Sequence, residues 1–167
     1  MKIWFDTEFI EDGRTIDLIS IGMIKEDGAR LYLENKDCDL TRASPWVVHN
    51  VIPRLDRYSN PASPVIVTKE QIRHEVLEFC GTSPEFWAYY AAYDWIALCQ
   101  LFGKMIDLPT TWPMYCMDFK QILVMLGDPH IKKLADHEAH NALIDAVWLR
   151  HVWYEIIENH NGAVLKY

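Results

Sequence analysis

Two carboxylates lie where a buried strand would normally carry apolar side chains. Residues 2–10 read Lys-Ile-Trp-Phe-Asp-Thr-Glu-Phe-Ile, and the two acids are Asp6 and Glu8. Side chains alternate between the faces of an extended strand, so both acids point to the same side. Like charges this close repel each other in an apolar setting, and a hard divalent cation is the usual compensation. The alternative interpretation is an edge strand with two solvated acids, which is the commoner case for an isolated D-x-E motif.

Three later residues suit the same chemistry. Asp94 lies between an aromatic, strand-like run and a helical pattern, which places it at a strand-to-helix junction. Asp145 lies among small and apolar residues of the longest helical pattern, 141–158, so its charge needs a partner. His140 is five residues earlier, about 140° away around a helix axis, so the two converge only if His140 precedes the helix. Asn141 as the N-cap residue would place it there.

Taken alone, each of these residues favours an ordinary structural role, such as a paired core acid for Asp145 or a solvated loop histidine for His140. Together they form an ordered series, D-x-E, D and H-x4-D, which suits hydrolysis of a phosphodiester by two metal ions. Two divalent ions about 3.5–4 Å apart need carboxylates that bridge and clamp them. Histidine provides a base whose pKa lies near neutral. Magnesium fits this set because it binds through few carboxylates together with substrate oxygens.

The elements around these residues predict an α/β domain. Three strand patterns at 2–10, 15–24 and 29–34 are joined by short turns, which predicts an antiparallel meander. A helix, a strand, a helix, a short strand and a final helix follow. This order predicts a mixed sheet, antiparallel and then parallel, with helices packed against it.

Local signals predict where several helices begin. Thr68 with Gln71 makes a capping box, and Asp118 is a candidate N-cap. Thr41 and Ser44, which precedes a proline, are each candidates to open a short helix. The apolar residues spaced to share one face of that helix are Trp46, Val47 and Val51.

Length and composition predict one domain over residues 1–167. The chain is 50% apolar and 13% aromatic, which excludes a disordered or fibrous protein. A net charge of −8 argues against a DNA-binding module, but less against a metal-dependent nuclease, whose carboxylates add to the negative total. No apolar run is long enough to span a bilayer and no signal-peptide pattern opens the chain, so we expect a soluble, cytoplasmic protein. The four scattered cysteines predict reduced thiols, with no disulfide framework or structural zinc.

The motifs, taken in order, resemble those of the DEDD 3′–5′ exonucleases, specifically the DEDDh subgroup on the ribonuclease H-like fold. The stretches D-T-E-F-I-E-D-G-R-T-I-D-L-I-S-I-G and A-Y-D-W-I-A-L-C-Q-L-F-G are similar to the RNase AS-like group of small exoribonucleases, which act on adenylate-containing RNA. A phage exodeoxyribonuclease belongs to the same grouping. The resemblance covers the chain from residue 2 to about residue 150, and the three motifs in order are far more specific than a lone D-x-E.

The resemblance implies a role for each residue of the series. Asp6 would bridge two Mg2+ or Mn2+ ions, and Glu8 and Asp145 would hold the ion on the nucleophile side. Asp94 would help to hold the ion on the leaving-group side, partly through water. His140 would be the general base.

Residues next to the D-x-E motif are expected to line the pocket for the terminal nucleotide. They are Thr7, Phe9 and Ile10. An aromatic ring there can stack on a base, although a core position is an equally good interpretation of Phe9. A second histidine, His137, makes another assignment of the base conceivable, but only His140 has the H-x4-D spacing.

The function implied by the resemblance is a metal-dependent 3′–5′ exoribonuclease. Such an enzyme would release 5′-mononucleotides from single-stranded or 3′-tailed RNA, with a preference for adenylate-containing RNA as a further expectation, and the resemblance suggests a homodimer. A 3′–5′ exodeoxyribonuclease of the same fold, acting on single-stranded DNA 3′ ends, is the alternative. Two weaker alternatives are a catalytically silent nucleic-acid-binding protein and a metal-independent hydrolase that uses Asp6 and Glu8 as an acid/base pair.

Overall fold

A six-stranded mixed sheet forms the centre of the protein. The computed structural model describes residues 1–136 and 138–159, with the side chains of 158 and 159 excepted. The strands are β1 (Lys2–Glu11), β2 (Ile16–Lys25), β3 (Arg30–Asn35), β4 (Ile66–Val67), β5 (Glu85–Ala88) and β6 (Met117–Asp118). Their order is β4-β3-β2-β1-β5-β6. The first three strands are antiparallel, β5 is parallel to β1 and β6 is parallel to β5. The predicted mixed sheet is therefore confirmed.

Helices cover both faces of this sheet. They are α1 (Pro45–Asn50), α2 (Asp56–Ser59), α3 (Lys69–Cys80), α4 (Ala92–Phe102), α5 (Phe119–Met125) and α6 (Ala142–Asn159), with short 3-10 turns at Leu40–Arg42, Ile52–Arg54 and Met105–Asp107. Ile3 and Phe5 of β1 pack in one core with α3 and α4. Trp4 points the other way and packs with α5 and α6. This alternation means that each face of β1 meets a different pair of helices.

Capping side chains set the starts of the helices that flank the sheet. The capping box of Thr68 and Gln71 opens α3 as predicted, and the Asp118 side chain accepts a hydrogen bond from the Lys120 N–H at the start of α5 (2.9 Å). The Asn141 side-chain oxygen accepts hydrogen bonds from the backbone N–H groups of the second and third residues of α6. His140 therefore precedes α6, as the sequence predicted.

Two predictions about the short helices were wrong. Thr41 does not open a helix, because the side chain of Asp39 caps the 3-10 turn that contains Thr41. Ser44 does cap α1, but Trp46 is 54% exposed while Val47 and Val51 are buried. Residues four apart share a helix face, whereas neighbouring residues are separated by about 100° around the axis, so Trp46 cannot join that face.

Three further features of the fold bear on the sequence predictions. Helix α4 begins at Ala92, so Asp94 lies in its first turn rather than at the strand-to-helix junction. None of the described helices is long and apolar enough to cross a membrane. All four cysteines are free thiols, as predicted.

Gly22 brings the sheet and α6 into close contact. It pairs with Asp6 across β1 and β2, and a Cβ atom at this position would overlap the backbone of Ala142 and Leu143. The first turn of α6 therefore lies directly against the bare backbone of β2. The absence of a side chain at residue 22 sets how near α6 comes to Asp6.

Gly22→Ala is expected to lower the free energy of unfolding by about 1–3 kcal/mol, the usual cost of forcing extra atoms into a packed interior. Urea unfolding measures the loss. Hydrogen exchange gives a local control, because amides in the first turn of α6 should lose protection while those of α3, on the opposite face, should not. A variant with wild-type stability and unchanged protection would contradict the close contact.

Candidate active site

Three carboxylates from two elements converge beside the middle of β1. Asp6 and Glu8 project from the same face of the strand, and Asp145 projects from the first turn of α6. One potential ligand oxygen from each of these residues lies within 4.8 Å of the others. Glu8 is buried, whereas Asp6 and Asp145 are half-buried. Within residues 1–136 and 138–157, no ion pair engages any of the three.

The fourth acid, Asp94, approaches from α4 on the other side of β1. Its carboxylate accepts hydrogen bonds from the Thr7 N–H (2.9 Å) and the Thr7 hydroxyl (2.7 Å). Both residues are buried, so these bonds fix the carboxylate firmly. Asp94 is not part of the compact group of three, but its charge raises the pKa of both Asp6 and Glu8.

One cleft is lined by all the residues that the sequence predicted as catalytic, metal-binding or substrate-binding. Its volume is about 560 Å3, and its lining includes Asp6, Thr7, Glu8, Phe9, Ile10, Asp94, His140 and Asp145. The Phe9 ring stacks in parallel on Tyr93, with centroids 5.6 Å apart. Ile10 is almost fully buried and packs with Val47, although it also reaches the cleft. Substrate contacts by Thr7, Phe9 and Ile10 stay predictions.

The acids are costly to ionise together. Burial, followed by the charges of Asp94, Glu8 and Asp145, raises the pKa of Asp6 well above its usual value. Burial and the charge of Asp145 raise the pKa of Glu8 to about 8. Burial raises the pKa values of Asp94 and Asp145 to about 6 each, although hydrogen bonds to both carboxylates work in the opposite direction. An all-oxygen donor set with unrelieved negative charge suits a hard divalent cation.

His140 faces the same cleft from the loop before α6. Its backbone adopts a φ of 69°, a left-handed conformation that is uncommon outside glycine. Its ring meets Trp46 edge-to-face, with centroids 4.8 Å apart. Burial and the nearby charge of Arg54 lower the pKa of the imidazole, while Asp136 opposes this effect. His137 lies outside the described residues, so its assignment as an alternative base stays a prediction.

Arg54 acts on the site electrostatically, although no sequence pattern marked it as a site residue. Its guanidinium donates to the Asp136 carbonyl (2.8 Å), and its own carbonyl accepts from the Asn141 side chain (3.4 Å). Its charge lowers the pKa values of Glu8, Asp145 and His140. Arg54 follows a proline in an irregular segment, so no periodicity or motif marks it.

Buried Glu34 anchors the segment that carries Arg54. The Glu34 carboxylate accepts hydrogen bonds from Arg57 Nε (2.9 Å) and from the backbone N–H of Asp56. The segment around Arg54 is thereby tied to β3.

The meander, its parallel continuation and the acids that converge beside the middle of β1 define a DEDD-type exonuclease domain on the ribonuclease H-like fold. A solved structure of S. pombe Pop2p in a Mg2+- and Mn2+-bound form has the same fold, with a TM-score of 0.66 at 14% identity over 94% of this chain and 82% of that chain. The chain belongs to the family of Rv2179c-like 3′–5′ exoribonuclease domains, and the sequence model of this family matches residues 1–157.

Two relatives from Mycobacterium tuberculosis support this membership. They are the 3′–5′ exoribonuclease Rv2179c of strain H37Rv and the 3′–5′ exoribonuclease MT2234.1 of strain CDC 1551. Each is 43% identical to this chain over 150 residues, which covers 87% of this chain and 87% of the relative. The resemblance to the DEDD exoribonucleases, first drawn from the three motifs, is confirmed.

In the metal-free protein, Asp6→Asn is expected to be more stable than the wild type, by a margin that grows as the pH rises from about 4 to about 8. The folded wild type keeps protons on Glu8, Asp94 and Asp145 up to pKa values of about 8, 6 and 6. The folded state therefore binds more protons than the unfolded state in this window, and stability is lost as the pH rises through the folded values. Removing one charge lessens that loss.

Chemical unfolding in EDTA across this pH range measures the effect. Glu75→Gln, which removes an exposed carboxylate on α3, is the matched control and should follow the wild type. An Asp6→Asn curve parallel to that of the wild type would show that the acids do not repel.

Proposed function

We propose that the cleft hydrolyses single-stranded or 3′-tailed RNA from the 3′ end, releases 5′-mononucleotides and uses two divalent metal ions. The observation that carries this proposal is the convergence of Asp6, Glu8 and Asp145 within 4.8 Å, in a chain of a 3′–5′ exoribonuclease family. We also propose that the chain works as one exonuclease domain, which the family match over residues 1–157 supports.

The donor set of the cleft fits Mg2+ or Mn2+. Asp6, Glu8 and Asp145 would hold one ion, and Asp6 with Asp94 would hold the second, as the resemblance implies. Bound ions would supply positive charge to the scissile phosphate and to the attacking water. The Mg2+- and Mn2+-bound form of Pop2p supports the choice of these ions. The raised pKa values of the acids support it too, because cations relieve the repulsion that raises them.

His140 is proposed to accept the proton of the attacking water. Only the neutral imidazole can act as a base, and burial together with Arg54 lowers the pKa of this group, so the neutral form dominates at neutral pH. The edge-to-face contact with Trp46 and the cap at Asn141 hold the ring at the mouth of the cleft. A base fixed in this way loses little entropy when it acts.

The terminal nucleotide is proposed to lie against the stacked pair of Phe9 and Tyr93. Tyr93 is 47% exposed and Phe9 is half-buried, so part of this aromatic surface is open to the cleft. A base gains stacking energy on such a surface whatever its identity. Adenylate-containing RNA is our proposed substrate class, supported by the similarity of the opening stretch to exoribonucleases that act on such RNA.

End-labelled oligoadenylate RNA should be shortened one nucleotide at a time from its 3′ end in Mg2+ or Mn2+. The same sequence as DNA should react more slowly and a circular RNA should stay intact. EDTA should stop the reaction, because the proposed metal ions supply the positive charge that the acids and the scissile phosphate require. Gel electrophoresis and identification of the mononucleotide product measure these outcomes.

Each alternative function predicts a different result in the same assay. Faster cleavage of DNA would favour an exodeoxyribonuclease. Cleavage that survives thorough chelation would favour the metal-independent acid/base pair. Binding of RNA without any cleavage would indicate a silent binding protein.

His140→Ala should reduce turnover by roughly two to four orders of magnitude, the usual contribution of a positioned general base. In the wild type, the rate should rise with pH through a pKa below the ordinary histidine value of 6.5, because burial and Arg54 favour the neutral ring. Steady-state kinetics across pH measure both. His74→Ala, an exposed histidine on α3, is the control and should behave as the wild type. A large loss in His137→Ala instead of His140→Ala would reassign the base.

A further inference from the structure

A second depression, rich in lysine, adjoins the cleft. We call it the lysine groove, and its lining includes Tyr89, Tyr90, Lys120, His130, Lys132 and Lys133. Tyr89 and Tyr90 line both the groove and the active-site cleft. A third pocket between them is lined by Tyr90 and Lys133 together with His140 and Asp145. The surface is therefore continuous from the catalytic acids to the lysines.

The charge of the groove is opposite to that of the whole chain. The chain carries a formal charge of −8, yet two exposed lysines, Lys132 and Lys133, stand next to each other here. Lys120 is paired with Asp128 (2.5 Å), but within the described residues no ion pair engages Lys132 or Lys133. An acidic protein that binds a polyanion needs a local basic surface of this kind, because its overall field is repulsive.

Contacts among three aromatic side chains hold the backbone of the segment that carries Lys132 and Lys133. The Trp148 side chain of α6 donates its Nε1–H to the Lys132 carbonyl (2.8 Å). Its ring packs on Tyr89 (5.4 Å between centroids), which packs in turn on Tyr90 (4.6 Å). The helix that carries Asp145 therefore also fixes the backbone of the lysine segment. The distance between the acids and the lysines is set by the fold rather than by a free loop.

Tyr90 stands where the cleft meets the groove, in an unusual conformation. Its φ is 60°, which is uncommon for a bulky residue, and its side chain is 60% exposed. The backbone N–H of Tyr90 donates to the Asp118 carboxylate (3.2 Å), which holds this conformation. Core packing does not explain an exposed ring on a strained backbone, and such outliers cluster at ligand sites. A flat, exposed ring beside a basic surface is a stacking position for a nucleobase.

We propose that the lysine groove binds the RNA strand on the 5′ side of the terminal nucleotide, with Tyr90 stacking on a base and Lys132 and Lys133 contacting phosphates. This inference rests on the proposed function, since it takes the 3′-terminal nucleotide to occupy the Phe9 side of the cleft. The groove then binds any single strand long enough to pass Tyr90. Affinity increases with RNA length until the strand reaches Lys132.

The double variant Lys132→Ala/Lys133→Ala tests the groove. For a longer single-stranded oligoadenylate, KM should rise about tenfold, because two phosphate contacts are lost. For a dinucleotide, whose single internucleotide phosphate is the scissile one at the acids, no phosphate is left for the lysines, and the rise in KM should be several times smaller. Lys36→Ala/Lys69→Ala removes the same charge at the opposite edge of the sheet, and it should leave both KM values at the wild-type level. An equal rise for both RNAs, or an equal effect of the control, would overturn the proposal.

Equilibrium binding separates this inference from the proposed function. Labelled oligoadenylate is titrated with Asp6→Asn protein, which lacks the proposed metal-bridging carboxylate and should not degrade the RNA. The titration is done with and without the lysine substitutions, at several salt concentrations. The slope of log affinity against log salt should be shallower by about 1.4 without the lysines, since each phosphate contact on a single strand contributes about 0.7. Unchanged slopes would contradict the groove even if the wild type degrades RNA. A wild type that degrades no RNA would contradict the proposed function, whatever the slopes.

Tyr90 is tested by comparing two substitutions in the same binding assay. Tyr90→Ala should weaken binding of the longer RNA about tenfold, which is the scale for loss of one stacked base. Tyr90→Phe keeps the ring and should bind as the wild type does. If Tyr90→Phe loses as much affinity as Tyr90→Ala, the ring does not act by stacking.

Discussion

Mutual repulsion among the carboxylates beside the middle of β1 is the constraint on which the rest of the structure depends. One potential ligand oxygen from each of Asp6, Glu8 and Asp145 lies within 4.8 Å of the others, and partial burial weakens the screening of their charges by water. A chain could lower this energy by turning one acid toward solvent. The surrounding contacts prevent that, because each acid belongs to an element whose position is fixed by packing or by hydrogen bonds.

The acids are held by different hydrogen bonds. Asp94 is held by two hydrogen bonds from Thr7, so one residue of the D-x-E motif positions a carboxylate from another helix. Asp145 accepts a hydrogen bond from the Asn141 N–H (3.1 Å), which couples the acid to the cap of its own helix. Arg54 contributes charge without a direct hydrogen bond to Glu8 or Asp145. It therefore moderates the repulsion without neutralising the acids, so their oxygens are left available to cations.

Local patterns in the sequence predicted the parts of the fold that depend on local physics. Strand alternation placed Asp6 and Glu8 on one face, and the Asn141 cap placed His140 outside α6. The failures involve contacts between distant segments. Trp46 lies at the cleft, where its ring contacts His140, and no local pattern in the sequence connects two residues so far apart in the chain.

The same limit explains Arg54 and the lysine groove. Arg54 reaches the site through residues more than 80 positions away, and no spacing rule reports such a contact. The run of tyrosines before Asp94 was visible as an aromatic strand. The left-handed backbone of the exposed Tyr90 was not predictable, because it depends on a hydrogen bond to the Asp118 carboxylate. Asp118 lies on β6, which is next to β5 in the sheet but distant in the sequence.

The close approach at Gly22 has a consequence for how ions would enter the site. Because α6 packs directly on the backbone of β2, moving Asp145 away from Asp6 to ease their repulsion would break that close contact. The cluster then has two ways to shed charge, by taking up protons or by taking up cations, and each displaces the other. Loading with a divalent ion would release protons to solvent. The affinity of the cleft for its ions would therefore weaken as the pH falls. The absence of a side chain at Gly22, which brings α6 close to Asp6, is what links ion binding to pH in this way.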